Sequence, residues 1–252
     1  MKLKRYVLHL SYLGTHYAGW QIQDNAKSVQ GEVMLALVKI LNVNINLMVG
    51  AGRTDAGVHA SNFFAHFDYA GSFSVTELTY KLNRFLSEDI VIHYIKPISK
   101  QFHARFSAVS RKYEYLISTV KDPFLTNRAY FFFKSLNLDL MNQGASLLIG
   151  EKNFQAFSKS NLGNSNCLVS EAKWRKNNQI ILFSIESDRF LYNMVRCIVG
   201  TLIDLGLEKI DLNQFANIMQ SGNRQNAGMS VPAQGLYLVN IRYPKNYSLE
   251  VS

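Results

Sequence analysis

A chain of 252 residues, 48% of them hydrophobic, carries enough apolar side chain for one large core or two smaller ones. Its 27 Lys and Arg against 18 Asp and Glu leave a net charge of +9, an excess that suits a polyanionic partner. Four prolines exclude a proline-rich linker, and no window is polar enough to read as disordered or apolar enough to read as a membrane span.

The opening run, Met1 to Leu10, is too short in its apolar stretch to be a signal peptide and is interrupted by His9 and Ser11. It alternates instead. Tyr6, Leu8, Leu10 and Tyr12 fall on one face and Arg5, Val7, His9 and Ser11 on the other, which predicts a half-buried strand over residues 4–12. Ser28 then precedes Val29, Val33, Ala36, Leu37, Ile40 and Leu41 at helical spacing, with the serine as N-cap. A glycine-rich stretch from Gly50 to Ala60 leads into a strand-like run, Asn62 to Phe67. Ser74-Val75-Thr76-Glu77 has the form of a capping box, continued as a helix by Leu78, Leu82 and Phe85.

Residues 102–119 read as one long strand, Phe102 to Phe106 and then Arg111 to Ile117. Beyond it the pattern predicts a helix near 138–149, a strand from Ile180 to Ile185, helices at 188–205 and near 212–220, and a closing strand from Gly235 to Tyr243. Alternating strands with amphipathic helices between them indicate antiparallel or mixed sheets with one face covered. The expected class is α+β in two similar halves, 1–101 and 102–252, with a boundary near residue 102. The halves are alike in pattern only, since no residue-level repeat is visible. The charge excess is shared between them, 10 Lys and Arg against 7 Asp and Glu before residue 102 and 17 against 11 after it. That fits a long groove better than a basic tail.

Cys167 and Cys197 form no CxxC pair and no disulfide framework, as expected in a reducing cytoplasm. The six histidines show no H-x-x-x-H spacing and neither cysteine has a ligand-spaced neighbour, so no metal site is expected. There is no G-x-S-x-G elbow, and the Gly50 to Ala60 segment lacks both G-x-G-x-x-G and Gly-Lys-Ser/Thr, which argues against nucleotide hydrolysis.

What remains is one carboxylate. Asp55 sits in Gly50-Ala51-Gly52-Arg53-Thr54-Asp55-Ala56-Gly57, with Arg53 two positions before it. Asp-Ala-Gly alone is ordinary turn chemistry. Three glycines are more than a turn needs, and they let the backbone bend and a bulky ligand come close. A carboxylate held there beside cations stays ionised and can act as nucleophile or base.

Two further segments bear on it. In 188–205, Phe190, Met194, Ile198, Thr201 and Leu205 form an apolar stripe, while Arg189, Asn193, Arg196 and Gly200 occupy another face. The segment reads as buried, and a buried Arg196 requires a partner. A carboxylate would supply it; Asp55 is the candidate, although spacing leaves the pairing open. Tyr113 and Tyr115 share a strand face beside Arg111 and Lys112. They are either core aromatics or a surface on which a base stacks while the cations meet phosphates.

These residues resemble the TruA family of tRNA pseudouridine synthases. Gly50 to Ala60 is similar to its active-site loop. Tyr17-Ala18-Gly19-Trp20-Gln21-Ile22-Gln23 and Ser28-Val29-Gln30-Gly31 resemble its N-terminal segment, Phe102 to Ala108 with Arg111 to Tyr115 its central strand, Phe190 to Arg196 its arginine helix, and Pro232 to Leu238 its closing strand. The resemblance implies the pseudouridine synthase fold around a central basic cleft. It implies that Asp55 is catalytic, that Tyr113 stacks on the target uracil, that Arg196 pairs with Asp55, and that Arg53 holds the nucleotide out of its stack. It further implies conversion of uridine to pseudouridine at positions 38, 39 and 40 of the tRNA anticodon stem-loop by a homodimer, with no cofactor and no metal. The same loop would also serve a synthase of another RNA, and a non-catalytic tRNA-binding chaperone is the rival of a different class. One departure stands out. Ala227-Gly228-Met229-Ser230-Val231-Pro232 lies where many members carry Gly-Pro, and a local loop difference without change of reaction is expected.

Overall fold

The structure is a computed structural model and describes residues 3–249 apart from 44, 46 and 160–162. In chain order its elements are β1 (Lys4–Tyr12), α1 (Val29–Leu41), β2 (Met48–Gly50), β3 (His59–Tyr69), α2 (Val75–Phe85), β4 (Ile90–Ile98), β5 (Ser110–Ser118), β6 (Tyr130–Phe131), α3 (Leu138–Ser146), β7 (Gly150–Asn153), β8 (Asn166–Asn177), β9 (Ile180–Ser187), α4 (Met194–Gly206), α5 (Leu212–Ser221) and β10 (Leu236–Arg242), with short 3-10 turns between them. The class is α+β. The chain divides into two compact units, 1–109 with 238–252, and 110–237.

In the first unit the strand order is β4-β1-β3-β10, with β2 paired to β3. β1 runs antiparallel to both β3, where Leu8 faces Ala65, and β4, where Leu8 faces Ile95. That register places Tyr6, Leu8, Leu10, Phe63, Ala65 and Phe67 on one face, all buried. α1 and α2 add Val29, Val33, Ala36, Leu37, Leu78 and Leu82 to the core. Both helices start as their sequences dictate: the Ser28 hydroxyl accepts from the Gly31 N–H at 3.2 Å and the Ser74 hydroxyl from the Glu77 N–H at 3.3 Å.

β1 is not half-buried as its alternation predicts. The middle of its second face is covered too: Val7 is as enclosed as Leu8 and His9 is buried, while Arg5 and Ser11 stay half-buried. His9 is enclosed by Asn62, Phe64, His93 and Tyr94, and beside His66 and Arg5 the cover includes residues 102–107, which are not strand. Ala104 N–H donates to His66 Nδ1 at 3.1 Å, Arg5 donates to the Phe102 carbonyl at 2.6 Å, and Phe102 packs on Tyr243 and Tyr247. Only the second part of the expected 102–119 strand forms, as β5. These bonds, with the Val109 N–H to Arg242 carbonyl bond at 2.7 Å, are why residues 102–109 and the chain from Leu238 group with the first unit.

In the second unit the order is β5-β9-β8-β7, with β6 parallel to β5. β5 and β8 flank β9 antiparallel, setting Tyr113 opposite Ile185, Tyr115 opposite Phe183 and Trp174 opposite Phe183. Here alternation holds. Tyr115, Ile117, Ala172, Trp174, Phe183 and Ile185 are buried, along with Met141 and Ala145 of α3 and Phe215 of α5. Lys112, Glu114, Leu116, Glu171, Arg175 and Leu182 lie on the other face, half-buried or exposed. β8 alternates as plainly as β1, and its exposed positions are polar apart from Leu168. α4 starts at Met194, so the helix expected from 188 is shorter: Asn193 takes a left-handed conformation (φ 64) and residues 188–193 turn before the helix begins.

Candidate active site

The segment around Asp55 is held from both sides by main-chain bonds. Trp20 N–H donates to the Thr54 carbonyl at 3.3 Å and Gly57 N–H to the Tyr17 carbonyl at 3.2 Å. Thr54 is buried, its hydroxyl 2.9 Å from the Tyr12 hydroxyl. The Gly14 N–H donates to His59 Nδ1 at 3.0 Å and fixes the point where β3 begins. Asp55 itself spans a turn, its carbonyl accepting from Val58 N–H at 3.1 Å. Between these anchors the Asp55 side chain is half-exposed and Arg53 is exposed. A carboxylate so framed is positioned by its neighbours' backbone and stays partly exposed.

The glycines divide by purpose. The sequence suggests that Gly50, Gly52 and Gly57 together admit a ligand. Gly50 is instead sealed by protein: a Cβ there would lie 2.3 Å from the Trp20 indole nitrogen. Gly57 answers a backbone need, with φ 77 in the left-handed region. Gly52 opens onto unfilled space, with nothing within 4 Å of a Cβ built on it. Gly19, from the Tyr17–Gln23 segment, also packs against the loop backbone. Its φ is +92 and a Cβ would stand 2.3 Å from the Thr54 carbonyl oxygen.

In the second unit, Tyr113 and Tyr115 part company although they share a strand face. Tyr115 is fully buried, its hydroxyl donating to the Pro232 carbonyl at 2.8 Å, and burial pushes its pKa up. It is the core aromatic. Tyr113 is half-buried and meets the Phe190 ring edge-on, with centroids 5.0 Å apart. Of the two, it is the one that stays partly exposed.

Arg196 is half-buried, less enclosed than the apolar run around it suggests. Its Nε donates to the Val231 carbonyl at 2.8 Å, and its own carbonyl accepts from Val231 N–H at 3.2 Å. Tyr115 and Arg196 therefore grip consecutive carbonyls, Pro232 and Val231. The 227–231 strand of chain can lie this close because residue 200 of α4 is glycine: a Cβ there would sit 1.8 Å from the Met229 carbonyl oxygen. Asn193 Nδ2 donates to the Ser230 hydroxyl, and the Gly228 N–H donates to Thr201 Oγ1 at 3.0 Å. The segment singled out in the sequence for its departure from Gly-Pro is thus the perch of Arg196.

Sequence reasoning also passed over Asp188. Its carboxylate accepts from Leu168 N–H and Arg189 N–H, both at 2.8 Å, and shapes the turn that delivers Phe190 to Tyr113. The signal was present, since an acid followed by a break in the apolar pattern is turn chemistry. Both cysteines are buried, and burial pushes each thiol up to about 11, far from a reactive thiolate. Among the described residues no three His, Cys, Asp or Glu side chains are grouped to hold a metal ion, and no helix is long and apolar enough to cross a membrane.

Known proteins match this chain along nearly all of its length. A family model described as tRNA pseudouridine synthase matches residues 145–244, which include Arg196 and its perch. The chain is 43% identical to the tRNA pseudouridine synthase A of Azobacteroides pseudotrichonymphae, over 96% of this chain and 98% of that one. It is 42% identical to the protein of the same name from Bacteroides fragilis, over 97% and 98% of the two chains. It is likewise 42% identical to that of Porphyromonas gingivalis, over 98% and 100%.

Proposed function

The chain belongs to the tRNA pseudouridine synthase A family, and we propose that it isomerises uridine to pseudouridine in tRNA with Asp55 as the group that starts the reaction. The observation that carries this reading is a single half-exposed carboxylate set between anchored residues, Thr54 on one side and Gly57 on the other. In the reaction the C1′–N1 bond breaks, the uracil turns, and a C1′–C5 bond forms. C5 gives up its proton and N1 takes one, so the product is an isomer and no co-reactant is consumed.

Each partner of Asp55 has a distinct task in this reading. Tyr113 provides the surface that keeps the detached base in place, a role supported by its half-buried ring braced on Phe190. Arg196 is the cation assigned to the Asp55 carboxylate; the Val231 carbonyl orients its guanidinium. Arg53 meets the nucleotide as it leaves its stack, which costs a few kcal/mol and favours loop and stem-end uridines. The targets are positions 38, 39 and 40 of the anticodon stem-loop, the enzyme is a cytoplasmic homodimer, and the net charge of +9 makes tRNA affinity fall with salt.

Release of tritium from tRNA carrying 5-tritiated uridine tests the reading. Asp55→Asn should lower release by at least ~10³-fold, the scale of losing a group that acts in the transition state; wild-type release from that variant would refute the assignment. Arg196→Ala should lower turnover ~10- to 100-fold while tRNA affinity changes little. A transcript with 38–40 replaced should release no label; equal release would move the activity to another site or RNA.

A further inference from the structure

Beside the Asp55 loop the first unit holds a cavity of about 220 Å³ whose wall includes Trp20, Gln21, Leu47, Gly52, Arg53 and Arg105 but not Asp55. Gly52 and Arg53 belong to the loop itself, so an occupant here would stand within two or three residues of the carboxylate without being the reacting base. The volume is below the range for drug-sized ligands, which suits one base or one ribose-phosphate. Its floor is preformed: Gln30 accepts from Ile22 N–H at 3.0 Å and donates to the Met48 carbonyl at 2.7 Å, so both ends of that amide are committed.

Two features say what the space is for. Gly52 has neither a left-handed φ nor a neighbour that a side chain would strike, so no need of the fold explains the missing side chain. The wall is also cationic at two points that the sequence separates by 52 positions. Arg105 is exposed, and its guanidinium lies 5.7 Å from the centroid of the Phe106 ring. That ring is itself stacked on His103 at 4.4 Å, and His103 Nδ1 accepts from the Arg105 and Phe106 N–H groups, both at 3.2 Å. The turn is therefore built around the arginine's backbone and side chain. Two guanidiniums beside an apolar Leu47 wall fit a phosphate attached to a base or sugar.

We propose that this cavity is a second nucleotide subsite, which receives the RNA nucleotide adjacent to the target uridine and holds its phosphate between Arg53 and Arg105. The assignment rests on the synthase reading above, and it makes Arg105 a positioning residue that fixes the strand on one side of the flipped base.

The test measures affinity, by fluorescence anisotropy, for anticodon stem-loop RNAs in which single phosphates flanking the target are replaced by neutral methylphosphonate. At one position the replacement should weaken wild-type binding about tenfold but Arg105→Ala binding less than twofold, because the contact is already lost. Arg105→Lys should keep part of the discrimination, having the charge without the fork. If Arg105→Ala loses the same factor as the wild type at every position, the subsite is wrong. Gly52→Val fills the cavity and should lower RNA affinity about tenfold at an unchanged melting temperature; wild-type affinity in that folded variant would also overturn the proposal. Because binding is read directly, either failure stands apart from failure of the reaction itself, which tritium release by the wild type decides.

Discussion

Asp55 and Arg196 are held in opposite ways. The Asp55 loop is fixed by main chain meeting main chain, through Trp20 to Thr54 and Tyr17 to Gly57, with Gly19 pressed against it from a segment 36 positions earlier. Arg196 is fixed by its own side chain, whose Nε reaches a carbonyl 35 residues later in sequence. The first arrangement leaves little backbone room and adds a side-chain anchor, the Thr54 hydroxyl on the Tyr12 hydroxyl. The second depends on one loop staying docked on α4. In the proposed reaction Asp55 needs fixed backbone beneath it, whereas the guanidinium of Arg196 can be set by one strong hydrogen bond.

The perch should break most easily at its closest approach. Gly200→Ala drives a Cβ into the Met229 carbonyl and should cost about 3 kcal/mol or more in urea unfolding. Activity should fall further than stability explains, because Val231 moves away from Arg196. Gly19→Ala strains a left-handed φ and meets the Thr54 carbonyl, and should cost about 2 kcal/mol with slower turnover at unchanged tRNA affinity. If Gly19→Ala left turnover intact, the main-chain account of the Asp55 loop would be wrong.

Acid should separate the two units. His9 is lowered to about 4 by burial first and then by the nearby His93; His66 is lowered to about 4 by burial and then by Arg5 and His103. Both are neutral in the fold and take up protons on unfolding. The stability they contribute is therefore complete above their ordinary pKa of 6.5 and is lost as the pH falls from 6.5 through about 4. Asp68, held down by its Arg5 hydrogen bonds, adds loss in the same direction. Together the two rings should account for about 2 kcal/mol after allowance for screening. The first unit contains Trp20 and the second Trp174, so fluorescence of Trp174→Phe and Trp20→Phe variants reads each unit alone. The Trp20 signal should move at the higher pH; coincident transitions would show that acid does not act through this histidine face.

Two smaller effects sharpen the same contrast. Tyr115→Phe removes the hydroxyl from the Pro232 carbonyl and should cost about 1 kcal/mol. Gly52→Ala should change stability by less than about 0.5 kcal/mol, since its Cβ enters empty space. A large loss there would mean the loop needs that glycine for its own conformation.

Much of this molecule can be read from residue order. Ser28 and Ser74 mark the helix starts, alternation marks β1, β5 and β9, and the lone acid among three glycines marks the loop. These are local properties, set by backbone propensity and by the period of burial along one segment. Three expectations failed where a distant segment intervened. Residues 102–107 read as strand by alternation, yet they leave the sheet and pack on His66. The middle of β1, at Val7 and His9, is then buried on its second face as well. The 188–205 helix loses its first turn and more because Asp188 caps a turn there and Asn193 is left-handed, tied to Ser230.

What the sequence alone determined was the class of fold, the helix caps, the family resemblance and the single carboxylate. What only the tertiary structure decided was which glycine serves packing and which faces open space, which tyrosine is buried, and that Val231 holds Arg196. Those outcomes are contacts between segments tens of residues apart. A pattern along the chain records that a side chain is apolar or polar, not which carbonyl it will meet across the core.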